Sequence, residues 1–460
     1  MRRILACLVV LVGLVVAVPQ SGRAAPAPTS ADIVTQLQHL PDVTYLSEDP
    51  HPPAGFRLFN LEIRQPIDHA HPSRGYFEQH VLLYHVDVAA PMVVFTGGYF
   101  NYPYLSEPTA IVGGNQLSIE HRYFGDSRPV PTDWHYLTIW QEATDEHHID
   151  QVFKTIYHAH WIATGISKGG MTAIYHRRFY PSDYSGTFAW SSPNDTDVRS
   201  TAYTDFLNHV DGAACRADLL RVQRAALQNR AALEAKIGAA ADAAGETFAY
   251  WKHGLDEAFE VIVIQTPFVF WQYGGDCSAI PPAGAPVDDL YAWYDANVGW
   301  LGVDDQQSEP FIPYTYQAAT QLGWPTVDLR GPLGRLLHYP LSAQQPTEGF
   351  PPYLPSTRFD PNAMRDIDHW VRTQGAQLAF LYGQFDPWSA LPFQLGAGSR
   401  DSYVYTVPGG NHLSGIFTLP AGPQAALIAT LQRWAGVAAT GAAPTAARVA
   451  VAAQALPLVA

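Results

Sequence analysis

Cysteine is nearly absent from this chain: Cys7, Cys215 and Cys277 are the whole supply in 460 residues. That excludes a scaffold built on disulfides. It also excludes a cysteine-ligated metal centre, because no histidines stand near Cys215 and Cys277 at ligand spacing. Cys7 lies in an apolar N-terminal run, so one pair remains. In an oxidising compartment Cys215 and Cys277 form one disulfide, the alternative being two buried thiols. Basic residues are also scarce, with 27 Lys and Arg against 42 Asp and Glu and a net charge of −15. Nucleic-acid binding needs a basic footprint, and this chain has none. The acidic balance favours, weakly, a substrate with a cationic terminus. Charged residues of both signs make up 15% and hydrophobic residues 47%, so the chain buries a sizeable core and is not disordered. Beyond the N-terminus no run is long and apolar enough for a membrane helix. The closest histidine clusters, His147-His148 and His158-Ala159-His160, have no carboxylate or cysteine set to complete a site, and neither a metal nor a cofactor is expected. There are no internal repeats.

What the chain does have begins with a leader. Arg2 and Arg3 precede the apolar stretch Ile4 to Val18, and small residues follow at Gly22-Arg23-Ala24-Ala25, the pattern of a secretory signal peptide over 1–24. Pro26 and Pro28 disfavour later cleavage. The expectation is therefore export, with no membrane association after processing. Residues 36–197 carry strands alternating with helices, the mark of a parallel sheet covered on both faces. Phe56 to Ile63 and Tyr76 to His85 read as an antiparallel pair. Met92 to Thr96, Gln116 to Glu120, Trp161 to Thr164 and Thr187 to Trp190 read as further strands, with a helix over 138–153. From 198 to 360 the pattern turns helical. Helical spacing covers 217–237, and Phe248, Trp251, Leu255, Phe259 and Ile262 share one helix face. Residues 287–323 also read as helical, and 339–356 are irregular and Pro-rich. Alternation resumes over 361–436, with strands at 377–382 and 402–407 and a last helix near 422–434. The Ala-rich tail, 437–460, is expected to be weakly ordered. The reading is a sheet core split by a large helical insertion that caps the strand ends.

The most informative stretch is Gly165-Ile166-Ser167-Lys168-Gly169-Gly170, which leaves a strand and enters a helix. That is the context of a nucleophile elbow, G-x-S-x-G. So tight a turn leaves little room for a Cβ two residues to either side of the serine, and Gly165 and Gly169 meet that demand. A serine hydroxyl needs a base, and the base needs an orienting carboxylate. On an α/β-hydrolase core these follow in the order Ser, Asp, His, each after a strand. Asp386, in Gly383-Gln384-Phe385-Asp386-Pro387-Trp388, and His412, in Pro408-Gly409-Gly410-Asn411-His412, stand in that order and place. The N–H of Lys168 is one candidate oxyanion donor. The loop Gly97-Gly98-Tyr99 offers the second, from Gly98 or Tyr99.

Ser167-Lys168-Gly169-Gly170-Met171, Glu120-His121-Arg122-Tyr123-Phe124-Gly125-Asp126-Ser127, Trp271-Gln272-Tyr273, Asp386-Pro387-Trp388 and Asn411-His412 together resemble the secreted actinomycete prolyl tri- and tetrapeptidyl aminopeptidases. These are relatives of the lysosomal prolyl carboxypeptidase and dipeptidyl peptidase II group. The resemblance runs from about residue 40 to 435. It implies an α/β-hydrolase core with a helical cap, Ser167, Asp386 and His412 as triad, and release of short peptides from free N-termini, commonly after proline. An exopeptidase must hold the substrate ammonium with a carboxylate, and Glu120 is the candidate, the alternative for it being a structural pairing with Arg122 or another basic residue. Trp271, Tyr273 and Trp388 are candidates to wall a proline pocket, the alternative being core packing. An esterase or lipase on the same fold is the nearest alternative, and a non-catalytic secreted binding protein the other.

Overall fold

The computed structural model describes residues 32–438. Expectations for the leader over 1–24, and for all but the first two residues of the tail from 437, lie outside the described residues. One nine-stranded sheet organises the chain in the order β1-β2-β3-β5-β4-β6-β7-β8-β9. Its strands are β1 (Val43–Glu48), β2 (Arg57–Pro66), β3 (Tyr76–His85), β4 (Met92–Thr96), β5 (Asn115–Ile119), β6 (Trp161–Ile166), β7 (Gly186–Trp190), β8 (Leu378–Gly383) and β9 (Tyr403–Val407). β2 and β3 pair antiparallel from Arg57 opposite His85 to Pro66 opposite Tyr76. From β5 across to β9 every pairing is parallel.

β4, β6, β7 and β8 are buried on both faces and mostly apolar, whereas β5 buries the polar Asn115, Gln116 and Ser118 and β9, at the other edge, is largely exposed. Successive side chains go to opposite faces, so each strand feeds two cores. Val93, Phe95, Ile162, Phe188, Trp190 and Leu381 pack with helices α2 (Glu107–Val112) and α14 (Ala421–Trp434). On the other face, Ala189, Leu378, Phe380 and Tyr382 pack with α3 (Ile139–Phe153), α4 (Lys168–Phe179) and α13 (Asn362–Thr373). Met92, Val94, Trp161 and Ala163 meet the C-terminal part of α3 and the short α1 (Ile33–Leu37). β1, at the sheet's edge, is largely exposed. This layout, with the elbow between β6 and α4, is the α/β-hydrolase fold.

Between β7 and β8 the chain leaves the sheet. It forms α5 (Ala202–His209), α6 (Ala213–Gln228), α7 (Arg230–Ala244), α8 (Leu255–Tyr273), α9 (Val287–Asn297), and the short α10 (Asp305–Ser308), α11 (Ile312–Gln317) and α12 (Arg330–Leu333). These helices surround a core of their own, with Val222, Ile237, Phe259, Val263, Tyr294 and Trp300 at its centre. Cys215 and Cys277 form a disulfide that ties the start of α6 to the segment after α8. Among the described residues no helix is long and apolar enough to cross a membrane.

Of the expectations about helices, one needs correction and two resolve into more than one helix. The stretch with helical spacing, 217–237, is helical and divides into α6 and α7 at Asn229, whose side-chain amide donates to Ala225 O at 2.8 Å. Phe248 and Trp251 are not on the helix that carries Phe259. The Asp305 carboxylate accepts the N–H groups of Ala249 at 2.7 Å and Tyr250 at 2.9 Å, which diverts that backbone into a turn, and α8 starts at Leu255. The span 287–323, read as helical, is a series of shorter helices: α9 ends at Asn297, and Trp300 turns inward to stack on Tyr294 with ring centroids 4.5 Å apart. β1 and the helices α1, α2 and α5 went unread, being short or weakly patterned.

Candidate active site

Ser167 sits between β6 and α4 with φ +55° and ψ −126°, a conformation that a non-glycine residue holds only under constraint. The constraint is visible. A Cβ on Gly165 would lie 2.3 Å from Gly169 O, and one on Gly169 would lie 2.0 Å from Thr96 O. The turn closes only because both positions lack a side chain. Its N–H donates to Trp190 O at 3.0 Å, and its carbonyl accepts the Met171 N–H at 3.0 Å as α4 begins.

His412 and Asp386 follow β9 and β8 respectively. Both are buried, Asp386 completely, and His412 Nδ1 is paired with Asp386 Oδ2 at 2.8 Å. Asp386 Oδ1 accepts the Trp388 N–H at 3.1 Å, which fixes the carboxylate's rotation. The histidine's backbone is held from two sides. Its N–H donates to Gln272 O, at the end of α8, at 3.0 Å. Its carbonyl accepts from Ser191 Oγ at 2.8 Å. Ser191 directly follows Trp190, the residue that anchors the Ser167 N–H, so the end of β7 ties elbow and histidine loop together within two residues. Among the described residues the Ser167 hydroxyl makes no hydrogen bond to the imidazole. The Tyr99 phenol stands near Ser167, and burial pushes that phenol's pKa up.

The loop after β4 lies on the elbow. A Cβ on Gly98, whose φ is +78°, would be 2.5 Å from Gly169 N. Among the described residues the N–H groups of Tyr99 and Lys168 meet no acceptor. The Lys168 side chain is buried and donates from Nζ to Gly98 O at 2.7 Å.

The remaining named residues are placed as follows. Glu120 is buried, its Oε1 accepting Asn101 N–H at 3.1 Å and its Oε2 accepting Ser127 Oγ at 2.6 Å and Ser127 N–H at 3.3 Å. Trp271 is buried in the helical insertion between Phe270 and Phe385, with its indole N–H unpaired among the described residues. Tyr273 accepts from Gln272 Nε2 at 3.0 Å, and burial together with the nearby Asp386 charge pushes it up to about 12. Trp388 packs edge-on against Phe268 at 5.1 Å, its ring 6.3 Å from that of His412, and its indole N–H is also unpaired among the described residues. Spacing and motif pointed to none of the roles of Gln272 O, Ser191 Oγ, the Tyr99 phenol or the Lys168 ammonium. A lysine inside a turn of small residues was the one available signal.

A family model described as PS-10 peptidase S37 matches residues 26–456. The prolyl tri/tetrapeptidyl aminopeptidase of Streptomyces mobaraensis is 44% identical over 416 residues, covering 89% of this chain and 86% of that protein. Among solved structures, a proline iminopeptidase from Mycobacterium smegmatis aligns over 81% of this chain and 98% of its own, at 13% identity and a TM-score of 0.39. An epoxide hydrolase from an endophytic Streptomyces aligns over 84% and 97%, at 13% identity and a TM-score of 0.34.

Proposed function

Since this chain belongs to the PS-10 peptidase S37 family and is a serine peptidase, we propose that it releases tripeptides or tetrapeptides from free N-termini, after proline, with Ser167, His412 and Asp386 as its triad. The substrate class is that of the Streptomyces mobaraensis relative. The observation that carries the residue assignment is the buried 2.8 Å pair of His412 Nδ1 and Asp386 Oδ2, on loops tied through the end of β7 to the strained Ser167. Export by the leader over 1–24 belongs to the same reading, as does a capping role for 198–360.

Ser167 Oγ attacks the carbonyl carbon of the scissile bond while its proton passes to His412 Nε2. Asp386 accepts the Nδ1 proton, holding the imidazole in the tautomer that leaves Nε2 free, and stabilises the imidazolium. The oxyanion accepts from the N–H of Lys168 and from that of Gly98 or Tyr99. The C–N bond then breaks and His412 Nε2 protonates the departing amine. Water, deprotonated by the same nitrogen, attacks the acyl carbon. The C–Oγ bond breaks, Ser167 regains its proton, and the N-terminal peptide leaves as a carboxylate. No cofactor takes part. Glu120 is the proposed partner of the substrate ammonium, and its three hydrogen bonds leave carboxylate lone-pair capacity. Trp271 and Tyr273 wall the proline pocket in this reading. Trp388, whose ring stands 6.3 Å from that of His412, is the third proposed wall of that pocket.

The test is hydrolysis of an N-terminally free tripeptide amide ending in proline. Ser167→Ala should lower kcat by about 10⁴-fold or more with an unchanged melting temperature. Acetylating the substrate's amino group should weaken cleavage by about 100-fold, the value of a lost charge-assisted contact. Full activity in the alanine variant would remove the triad assignment. Equal rates on blocked and free substrates would remove the exopeptidase reading.

A further inference from the structure

Lys168 directly follows the nucleophile, and its side chain is almost completely buried. Nζ donates to Gly98 O at 2.7 Å and lies 5.6 Å and 5.3 Å from the ring centroids of Tyr99 and Phe124. The charged groups that act on it are Glu142 and Glu146 of α3, and it in turn acts on the buried His121. Burial pulls its pKa down to about 7. Burying an ammonium group is costly, and methionine or leucine would fill the same space. What neither would supply is a donor to Gly98 O.

That carbonyl belongs to the peptide whose other end is the Tyr99 N–H. In a trans peptide the C=O and N–H point to opposite sides of a rigid plane. Fixing Gly98 O on Nζ therefore fixes where the Tyr99 N–H points. The following peptide is held as well, since Tyr99 O accepts the His121 N–H at 2.9 Å. Between these two anchors the Tyr99 N–H meets no acceptor among the described residues. It stands on a loop that touches the first turn of α4, where the Lys168 N–H is also unpaired.

We propose that the Lys168 side chain is a positioning residue for the oxyanion hole: by holding Gly98 O it aims the Tyr99 N–H at the oxygen of the tetrahedral intermediate. One residue then supplies a donor with its own backbone and orients the second donor with its side chain. The proposal rests on the reading of Ser167 as nucleophile.

Wild type, Lys168→Met and Lys168→Gln are compared on three measurements: steady-state hydrolysis of the tripeptide amide, inhibition by a matching peptidyl trifluoromethyl ketone, and inhibition by the released tripeptide. The ketone's hemiketal oxygen needs the oxyanion donors, and the product does not. K168M is expected to lose about 10- to 100-fold in kcat, less than deletion of a donor itself, with KM within about twofold. Ketone affinity should fall in parallel and product affinity should hold. K168Q keeps an N–H donor on a shorter arm and should recover part of the loss. Unchanged kcat in K168M overturns the proposal, and so does an equal loss of ketone and product binding. If K168M does not fold, K168Q must show the kcat and ketone losses alone. If neither variant folds, Lys168 serves folding and the proposal is overturned. A fluorophosphonate that fails to label Ser167 in wild type refutes the nucleophile reading instead, so the two failures are distinguishable.

Discussion

Asp386 has no exposed surface, and its two oxygens have separate duties: Oδ2 pairs with His412 Nδ1, and Oδ1 holds the Trp388 N–H. Asparagine keeps the shape but offers one acceptor oxygen where the carboxylate has two. To spare the Trp388 contact it must turn its NH₂ toward Nδ1, which forces the proton to Nε2, the wrong tautomer for a base. Asp386→Asn is therefore expected to lower kcat by about 10³- to 10⁴-fold while the melting temperature moves by only a few degrees. Stopped assays with thermal melts check this, and near wild-type turnover would mean that Asp386 does not orient His412. At this scale the sequence was most legible where chemistry demands a residue type at a fixed place after a strand. Ser167, Asp386 and His412 each follow a strand of the parallel sheet, as their motifs implied. It was least legible where one residue acts through another's backbone. Nothing in the spacing shows that Gln272 O and Ser191 Oγ grip His412, because those partners become neighbours only through the fold.

Two helices on one face of the sheet are joined by a buried imidazole. His176 on α4 pairs through Nδ1 with Glu146 Oε2 of α3 at 2.9 Å and through Nε2 with Asp183 Oδ2 at 3.0 Å. These two hydrogen bonds, helped by the Asp150 charge, outweigh desolvation and raise its pKa from 6.5 to about 9. A folded-state pKa raised above the unfolded one adds stability that is fully present below pH 6.5 and is lost as pH rises through about 9. The expected outcome is a melting-temperature gap between wild type and His176→Gln that is widest near pH 6 and shrinks toward pH 9.5. Scanning fluorimetry across that range checks it, and a gap that is constant or widens with pH would contradict the bridge. The gap reads the imidazolium together with the Asp150 and Asp183 carboxylates that its charge stabilises. The elements themselves were mostly legible from period and punctuation. The buried strands β4, β6, β7 and β8 announced themselves as unbroken apolar runs, because a sheet covered on both faces needs no polar alternation. Helix limits failed where side chains captured backbone N–H groups, as Asp305 does at Ala249 and Tyr250. That competition depends on a residue more than fifty positions away.

At the scale of the whole molecule, the helical insertion with its own core meets the sheet, with its several cores, beside Asp386 and His412. The insertion's apolar cluster extends to Phe385 and Trp388, the residues flanking Asp386 and Pro387, and the last turn of α8 carries Gln272, whose carbonyl holds the His412 N–H. The insertion was legible as a change of period near residue 198. Its grip on the histidine loop was not, because that grip is a backbone contact between segments remote in sequence. The disulfide from Cys215 to Cys277 spans a separation of 62 residues and encloses α6, α7 and α8. In the chain-entropy model such a crosslink restricts the unfolded ensemble by about 4 kcal/mol. The sheet has cores of its own that the crosslink does not touch. Removing it with Cys215→Ser and Cys277→Ser should therefore loosen the insertion before the sheet. The expected result in a urea titration is a midpoint for activity well below the wild-type value, with part of the far-ultraviolet signal, that of the sheet and its flanking helices, lost only at a higher concentration. Coincident activity and spectroscopic midpoints in the double variant would show instead that insertion and sheet unfold as one unit. In that case the contacts at Gln272 and Trp388 couple insertion and sheet more strongly than the crosslink constrains either.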